Sequence, residues 1–382
     1  MTYEFMQHYW WLLVSLLGAL LVFLMFVQGG NTLIYTVPQT EEERKLLINS
    51  TGRKWEFTFT MLVVFGGAFF ASFPLFYSTS FGGAYWVWVI ILFSFIVQAV
   101  AYEFQGKTGS IFWLKFFRGC LLFNGFVAPI LIGGAVSTFF EGSAFIVDRE
   151  AIAQATMGTH VISRWANEWR GLDVLFNPWT YPLALSVLFL ARMLGSLYFL
   201  NNLGEVSLHA RLRRQLLRDT VPFLLFFLTY VGHILTKDGF AVNPATAEIY
   251  LEPYKYLNNL LTMPLVLALF IIGVGGVLYG TLSSIFGQSV KGIWCAGGGT
   301  ILTVLALLLI AGYNNTAYYP STADLQSSLY LSNSCSSEFT LQVMSIVSLI
   351  APIVAAYMAH AWYSIDRTKL TKQELEEAHH SY

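Results

Sequence analysis

Charge is scarce in this chain. Only 11% of its 382 residues are Asp, Glu, Lys or Arg, against about 25% in an ordinary soluble domain. The net charge of −1 offers no basic excess for nucleic acid. Cysteine is nearly absent too. Cys120, Cys295 and Cys335 are odd in number and far apart, which excludes a disulfide framework and Cys-x-x-Cys metal spacing. A Walker A loop is missing, because Gly106-Lys107-Thr108 follows Ala101-Tyr102-Glu103-Phe104-Gln105 without the required upstream glycine. Met1 to Gln7 lacks the basic start of a cleavable signal peptide, so the first apolar run is expected to be retained.

What is abundant is apolar length. Hydrophobic residues make up 56% of the chain, and mean hydropathy is +0.59. Runs long enough to cross a hydrocarbon layer of ~30 Å recur throughout, whereas the alternating ~10-residue segments of a membrane barrel do not occur. The chain reads as an all-α polytopic membrane protein. About nine spans are predicted, near 8–28, 58–78, 84–103, 119–140, 181–200, 220–236, 260–284, 291–313 and 339–363. Fifteen of the 21 lysines and arginines fall after odd-numbered spans or in the C-terminal tail. Arg149, Arg164, Arg170, Lys237 and Lys255 fall on the other side, and Arg192 lies inside a span. The positive-inside rule therefore predicts a cytoplasmic C-terminus and an external N-terminus. The stretch Arg164-Trp165-Ala166-Asn167-Glu168-Trp169-Arg170 suits a short helix at the interface. The charged loops Glu41 to Lys54 and Glu205 to Arg218 are alike in kind. They suggest two helical halves in one membrane domain, about 1–145 and 175–315, followed by a ninth helix at 339–363 and a tail at 364–382.

Few side chains can carry chemistry. His8, His233 and His360 are the only histidines in or near spans; His160, His209, His379 and His380 lie elsewhere. No two span histidines share a helix at facing spacing, so packing or interface roles are expected rather than haem ligation. Glu56 opens the second span, and Glu103 and Lys107 close the third on the same side. The ordinary reading is solvated helix-end charges with Lys107 snorkelling; the functional one is a proton route, because intramembrane charge is costly. Arg192 must find a carboxylate, a carbonyl, a lipid phosphate or a partner. The glycine runs Gly66-Gly67, Gly133-Gly134, Gly273 to Gly276 and Gly297 to Gly299 point to close helix packing.

Several stretches, in order, resemble subunit II of the cytochrome bd-type quinol oxidases. They are Tyr9-Trp10-Trp11-Leu12-Leu13-Val14; Glu43-Arg44-Lys45 through Ile48-Asn49-Ser50 to Lys54-Trp55-Glu56; and Gly66-Gly67-Ala68-Phe69-Phe70-Ala71-Ser72-Phe73-Pro74. Gly204-Glu205, Asp238-Gly239-Phe240, Asn258-Asn259 before Met263-Pro264, Pro320-Ser321 and Thr340-Leu341-Gln342-Val343-Met344 follow. The similarity covers essentially the whole chain. It implies two four-helix bundles with a peripheral ninth helix, in a bacterial cytoplasmic membrane. It further implies a haem-free subunit beside a subunit I that holds haems b and d and the quinol site, in an enzyme reducing O2 to water with cytoplasmic protons. The family leaves room for a small single-helix accessory subunit and for a structural quinone.

By the same resemblance, Glu56, after Trp55, occupies a position where the family commonly has Asp, taken as part of a proton entry route; Glu103 and Lys107 match an acidic and a basic position on that side. Other positions depart. Gln28-Gly29-Gly30-Asn31 stands where an acidic Asp-Gly-Phe-Asp-like stretch is common, Gln98 where an arginine is usual, and Met61 where a tryptophan is usual. The competing expectation is a stand-alone secondary transporter with two helical repeats.

Overall fold

The computed structural model describes residues 2–107, 109–148 and 162–371. Arg149, His160, Lys372, His379 and His380 lie outside them. Among the described residues, nine helices are long and apolar enough to cross a membrane. The first is built from α1 (Tyr3–Leu24) and α2 (Phe26–Thr32), joined at Met25. Thr2 caps α1 by accepting the Phe5 N–H. A capping box starts α3 (Glu41–Gly52): Thr40 Oγ1 accepts the Glu43 N–H at 3.2 Å, and the Glu43 carboxylate accepts the Thr40 N–H in return. Arg53 and Lys54 form the joint to α4 (Trp55–Ser72), which ends where Phe73 precedes Pro74.

The remaining spans are α5 (Tyr85–Phe104), α6 (Ile111–Glu141), α7 (Thr180–Asn202), α8 (Val206–Thr236), α10 (Pro264–Ile285) and α11 (Gly292–Gly312), with α9 (Lys255–Thr262) a short helix before α10. The ninth span is α12 (Glu338–Val347) running through one 3-10 turn into α13 (Ala351–Asp366). Gly142 stops α6 at φ +87, a setting that favours glycine.

The packing is graded. The α7 window is 89% buried, and α2 is wedged between α6 and α7. The ninth span is only 11% buried, and no residue of α13 is buried. Glycine brings α10 and α11 together: a Cβ on Gly280 would lie 2.5 Å from the Gly292 carbonyl oxygen, and one on Gly299 2.5 Å from that of Gly273. Gly67, Gly275 and Gly298 face open space instead, so the packing explanation covers Gly133-Gly134 but only part of the other three runs.

Two small antiparallel ribbons interrupt the helices. β1 (Phe145–Val147) pairs with β2 (Ser163–Trp165), and β3 (Gly239–Val242) with β4 (Ile249–Glu252). The interface helix expected at 164–170 is therefore not formed. Arg164 and Trp165 are in β2, and the following residues turn around Asp173, whose carboxylate accepts from Trp165 Nε1, Asn167 Nδ2 and the Gly171 N–H. A local side-chain acceptor competes successfully with helix formation there.

Candidate functional site

Lys54 places Trp55 and Glu56 in the first turn of α4, and α5 ends on Tyr102, Glu103 and Phe104 at the same, basic end of the bundle. The Trp55 ring stacks on Tyr102 with centroids 6.4 Å apart and an interplanar angle of 19°. Both belong to an apolar group with Ile34, Ile48, Ala101, Phe117 and Leu121. Tyr102 turns its hydroxyl inward, donating to Asn31 Oδ1 at 2.6 Å and lying 2.9 Å from Thr51 Oγ1. The aromatic pair is thus the inner wall of this end, and the neighbouring residues, Glu56 and Glu103, are exposed.

Glu103 pairs with Lys107 at 3.2 Å one helical turn on, with both side chains about half exposed or more (49% and 65%). Glu56 makes no hydrogen bond or ion pair among the described residues. The structure therefore joins Trp55 to the segment that carries Glu103 and Lys107, but brings Glu56 into contact with neither charge. Below it on the same helix face run Thr60, Val63, Val64, Gly67 and Phe70, all exposed. On α5 the exposed residues include Trp86, Leu92, Phe93, Ile96 and Val100. Glu56 thus stands at the head of an uncovered apolar stripe.

Arg192 is settled within the chain. Its Nε donates to Asp219 Oδ1 at 2.9 Å and its Nη1 to Thr32 Oγ1 at 2.7 Å, while Gln215 Nε2 donates to Asp219 Oδ2 at 3.0 Å. His233 is engaged as well. It lies flat on Trp179 at 3.7 Å, and its Nε2 is 3.1 Å from Glu141 Oε1, whose other oxygen accepts from Lys237 Nζ at 2.8 Å. No group of three or more potential metal ligands occurs among the described residues.

Two of the amides singled out in the sequence, Gln28 and Gln98, meet in the bundle. Gln28 Nε2 donates to Gln98 Oε1 at 2.9 Å and approaches Asn124 Oδ1 at 3.3 Å, and Asn124 Nδ2 donates to Ser94 Oγ at 3.2 Å. The replacements at 28 and 98 are direct partners, 70 residues apart in the chain.

Residues 6–365 match the family described as cytochrome bd terminal oxidase subunit II. The chain belongs to this family. Among its relatives, cytochrome bd-I ubiquinol oxidase subunit 2 of Escherichia coli K12 is 27% identical, with 99% of each chain covered. Cytochrome bd ubiquinol oxidase subunit 2 of Bacillus subtilis is 24% identical over 96% of this chain and 97% of that one. The bd oxidase structure from Geobacillus thermodenitrificans shares the fold, with a TM-score of 0.61 at 15% identity over 95% of this chain and 99% of its own. Membership sets the transporter reading aside and makes this a multi-pass membrane subunit of an oxidoreductase complex.

Sequence reasoning missed three features of this bd subunit: the Asp219 partner of Arg192, the Glu141–His233–Lys237 cluster, and the burial of Lys54. Asp219 was hidden because it follows a run of loop-like charges. Its spacing of four from Gln215 was the available signal.

Proposed function

We propose that this chain is the haem-free subunit of a membrane quinol oxidase, covering a haem-bearing subunit I through its uncovered apolar face and leading cytoplasmic protons past Glu56. The carrying observation is Glu56 itself. It is an unpaired carboxylate at the head of an exposed apolar stripe, a place that is costly in lipid and useful at a subunit seam. The charge asymmetry of the sequence makes this end cytoplasmic and the Tyr3 end external. Glu103 and Lys107, exposed beside the same aromatic wall, would collect protons at the surface. Haems b and d and the quinol site belong to subunit I on this reading. A cavity of about 380 Å³ among α1, α4, α6, α7, α8, α10 and α11, lined almost wholly by apolar side chains, gives room for a hydrophobic molecule such as a structural quinone.

The test is Glu56→Gln in the purified complex. Quinol-driven oxygen uptake should fall about tenfold, the loss that ~1.4 kcal/mol on the limiting barrier produces, while haem content stays normal. Unchanged turnover in assembled enzyme would overturn the assignment.

A further inference from the structure

A second charged group lies under the same end of the molecule, and the proton route does not use it. Lys54 has a side chain that is 0% exposed, and its ammonium lies 3.1 Å from Asp366 Oδ1, on a carboxylate 9% exposed at the last residue of α13. The approach is an ion pair without hydrogen-bond alignment. The ammonium also sits 4.8 Å from the Trp362 ring centre and 5.6 Å from that of Phe57. The same Asp366 oxygen receives Asn202 Nδ2 at 3.1 Å and the Tyr198 hydroxyl at 3.3 Å, and Ser50 Oγ donates to Asn202 Oδ1 at 2.6 Å. One carboxylate oxygen thus joins α13, the end of α7 and the α3–α4 joint. Just beyond it, the Leu370 N–H donates to the Asn202 carbonyl and the Gly204 N–H to the Leu370 carbonyl, both at 3.0 Å.

Burying two charges is a poor route to stability, because desolvation offsets much of their attraction. Such a pair is better suited to fixing geometry. The geometry at stake is local: Lys54 is the residue on which α3 stops and α4 starts, with its N–H bonded to the Thr51 carbonyl and its own carbonyl to the Phe57 N–H. Glu56 is two residues on. The end of α13 is anchored here by Trp362, whose ring packs against Phe26, Phe57 and Tyr198, so the ion pair ties an already docked helix end to the joint.

We propose that Lys54 and Asp366 form a positioning pair, through which the C-terminal helix holds the α3–α4 joint and sets where the Glu56 carboxylate stands. The consequence for turnover rests on the Glu56 reading; the positional claim does not. In the full complex, with the native cysteines Cys120, Cys295 and Cys335 replaced, Glu56→Cys reports position by its rate of labelling with a water-soluble maleimide. Asp366→Asn should change that rate about fivefold, the factor that ~1 kcal/mol supplies, and Asp366→Glu should restore it. With Glu56 intact, Asp366→Asn should lower kcat while KM for quinol and haem content hold. Should Asp366→Asn fail to assemble, the neutral pair Lys54→Met with Asp366→Leu removes the charges while filling similar space, and it should shift the labelling likewise. Labelling identical to the parent in an assembled variant overturns the proposal. Shifted labelling alongside a silent Glu56→Gln upholds the positioning pair and removes only the proton reading.

Discussion

One turn apart on α2, Gln28 and Thr32 solve the same problem with opposite chemistry. Towards α5 and α6, Gln28 meets Gln98 and Asn124, all neutral amides. Towards α7 and α8, Thr32 meets Arg192, which is locked to Asp219 and, through it, to Gln215. On the charged side both Asp219 oxygens and the arginine are partnered. On the neutral side Gln28 Oε1, Gln98 Nε2 and Asn31 Nδ2 have no hydrogen-bond partner among the described residues, though each residue is 0% exposed. Stripping a buried charge of its counter-ion costs about 3–5 kcal/mol, whereas an orphaned amide atom costs about 1–3 kcal/mol and can be carried. Because Gln28 and Gln98 touch, a charge placed at one of them alone would face a neutral amide rather than a counter-ion.

The largest expected effect breaks the charged side. Asp219→Leu leaves a buried guanidinium without a counter-ion and should cost about 3–5 kcal/mol, whereas Arg192→Met combined with Asp219→Leu should recover most of that loss. Thermal unfolding and yield of the assembled complex measure both. Equal damage from the single and the double change would mean that the pair is not the reason for burial.

A smaller effect comes from charging the neutral side. Gln28→Asp puts a carboxylate against Gln98 and Asn124 and should destabilise the complex by about 1–3 kcal/mol. Adding Gln98→Arg supplies the missing partner and should return at least half of it, as read by the same unfolding midpoint. If the double variant is worse than the single, the two positions do not behave as one unit.

These contrasts also show what could be read without coordinates. Span number and type were legible, because ~20-residue apolar runs have few other uses. The placement of Glu56, Glu103 and Lys107 at one end followed from hydropathy and loop charge. Long-range pairing was not legible. Nothing in the local sequence of Lys54 marks it as buried, since its partner lies more than 300 residues away and the tail must first fold back over it. Arg192 reads from the sequence as needing a partner, but Asp219 reads as loop because the second half of α8 alone looks like a span. Arg164 to Arg170 failed for the opposite reason: its composition suited a helix, and one aspartate at 173 captured its donors.

The smallest effect separates a proton-conducting subunit from a scaffold. The Glu103–Lys107 pair is exposed and one helical turn long, so Glu103→Gln should change stability by no more than about 0.5 kcal/mol. Packing and haem content give it no reason to matter, unlike Asp219 or Gln28. A slowing of oxygen uptake by Glu103→Gln, smaller than that of Glu56→Gln and without loss of haem, is therefore expected only if protons are gathered at this surface. Wild-type turnover in both Glu103→Gln and Glu56→Gln would leave the chain a structural partner, with its one unpaired carboxylate at the apolar stripe serving the fit between subunits rather than the chemistry.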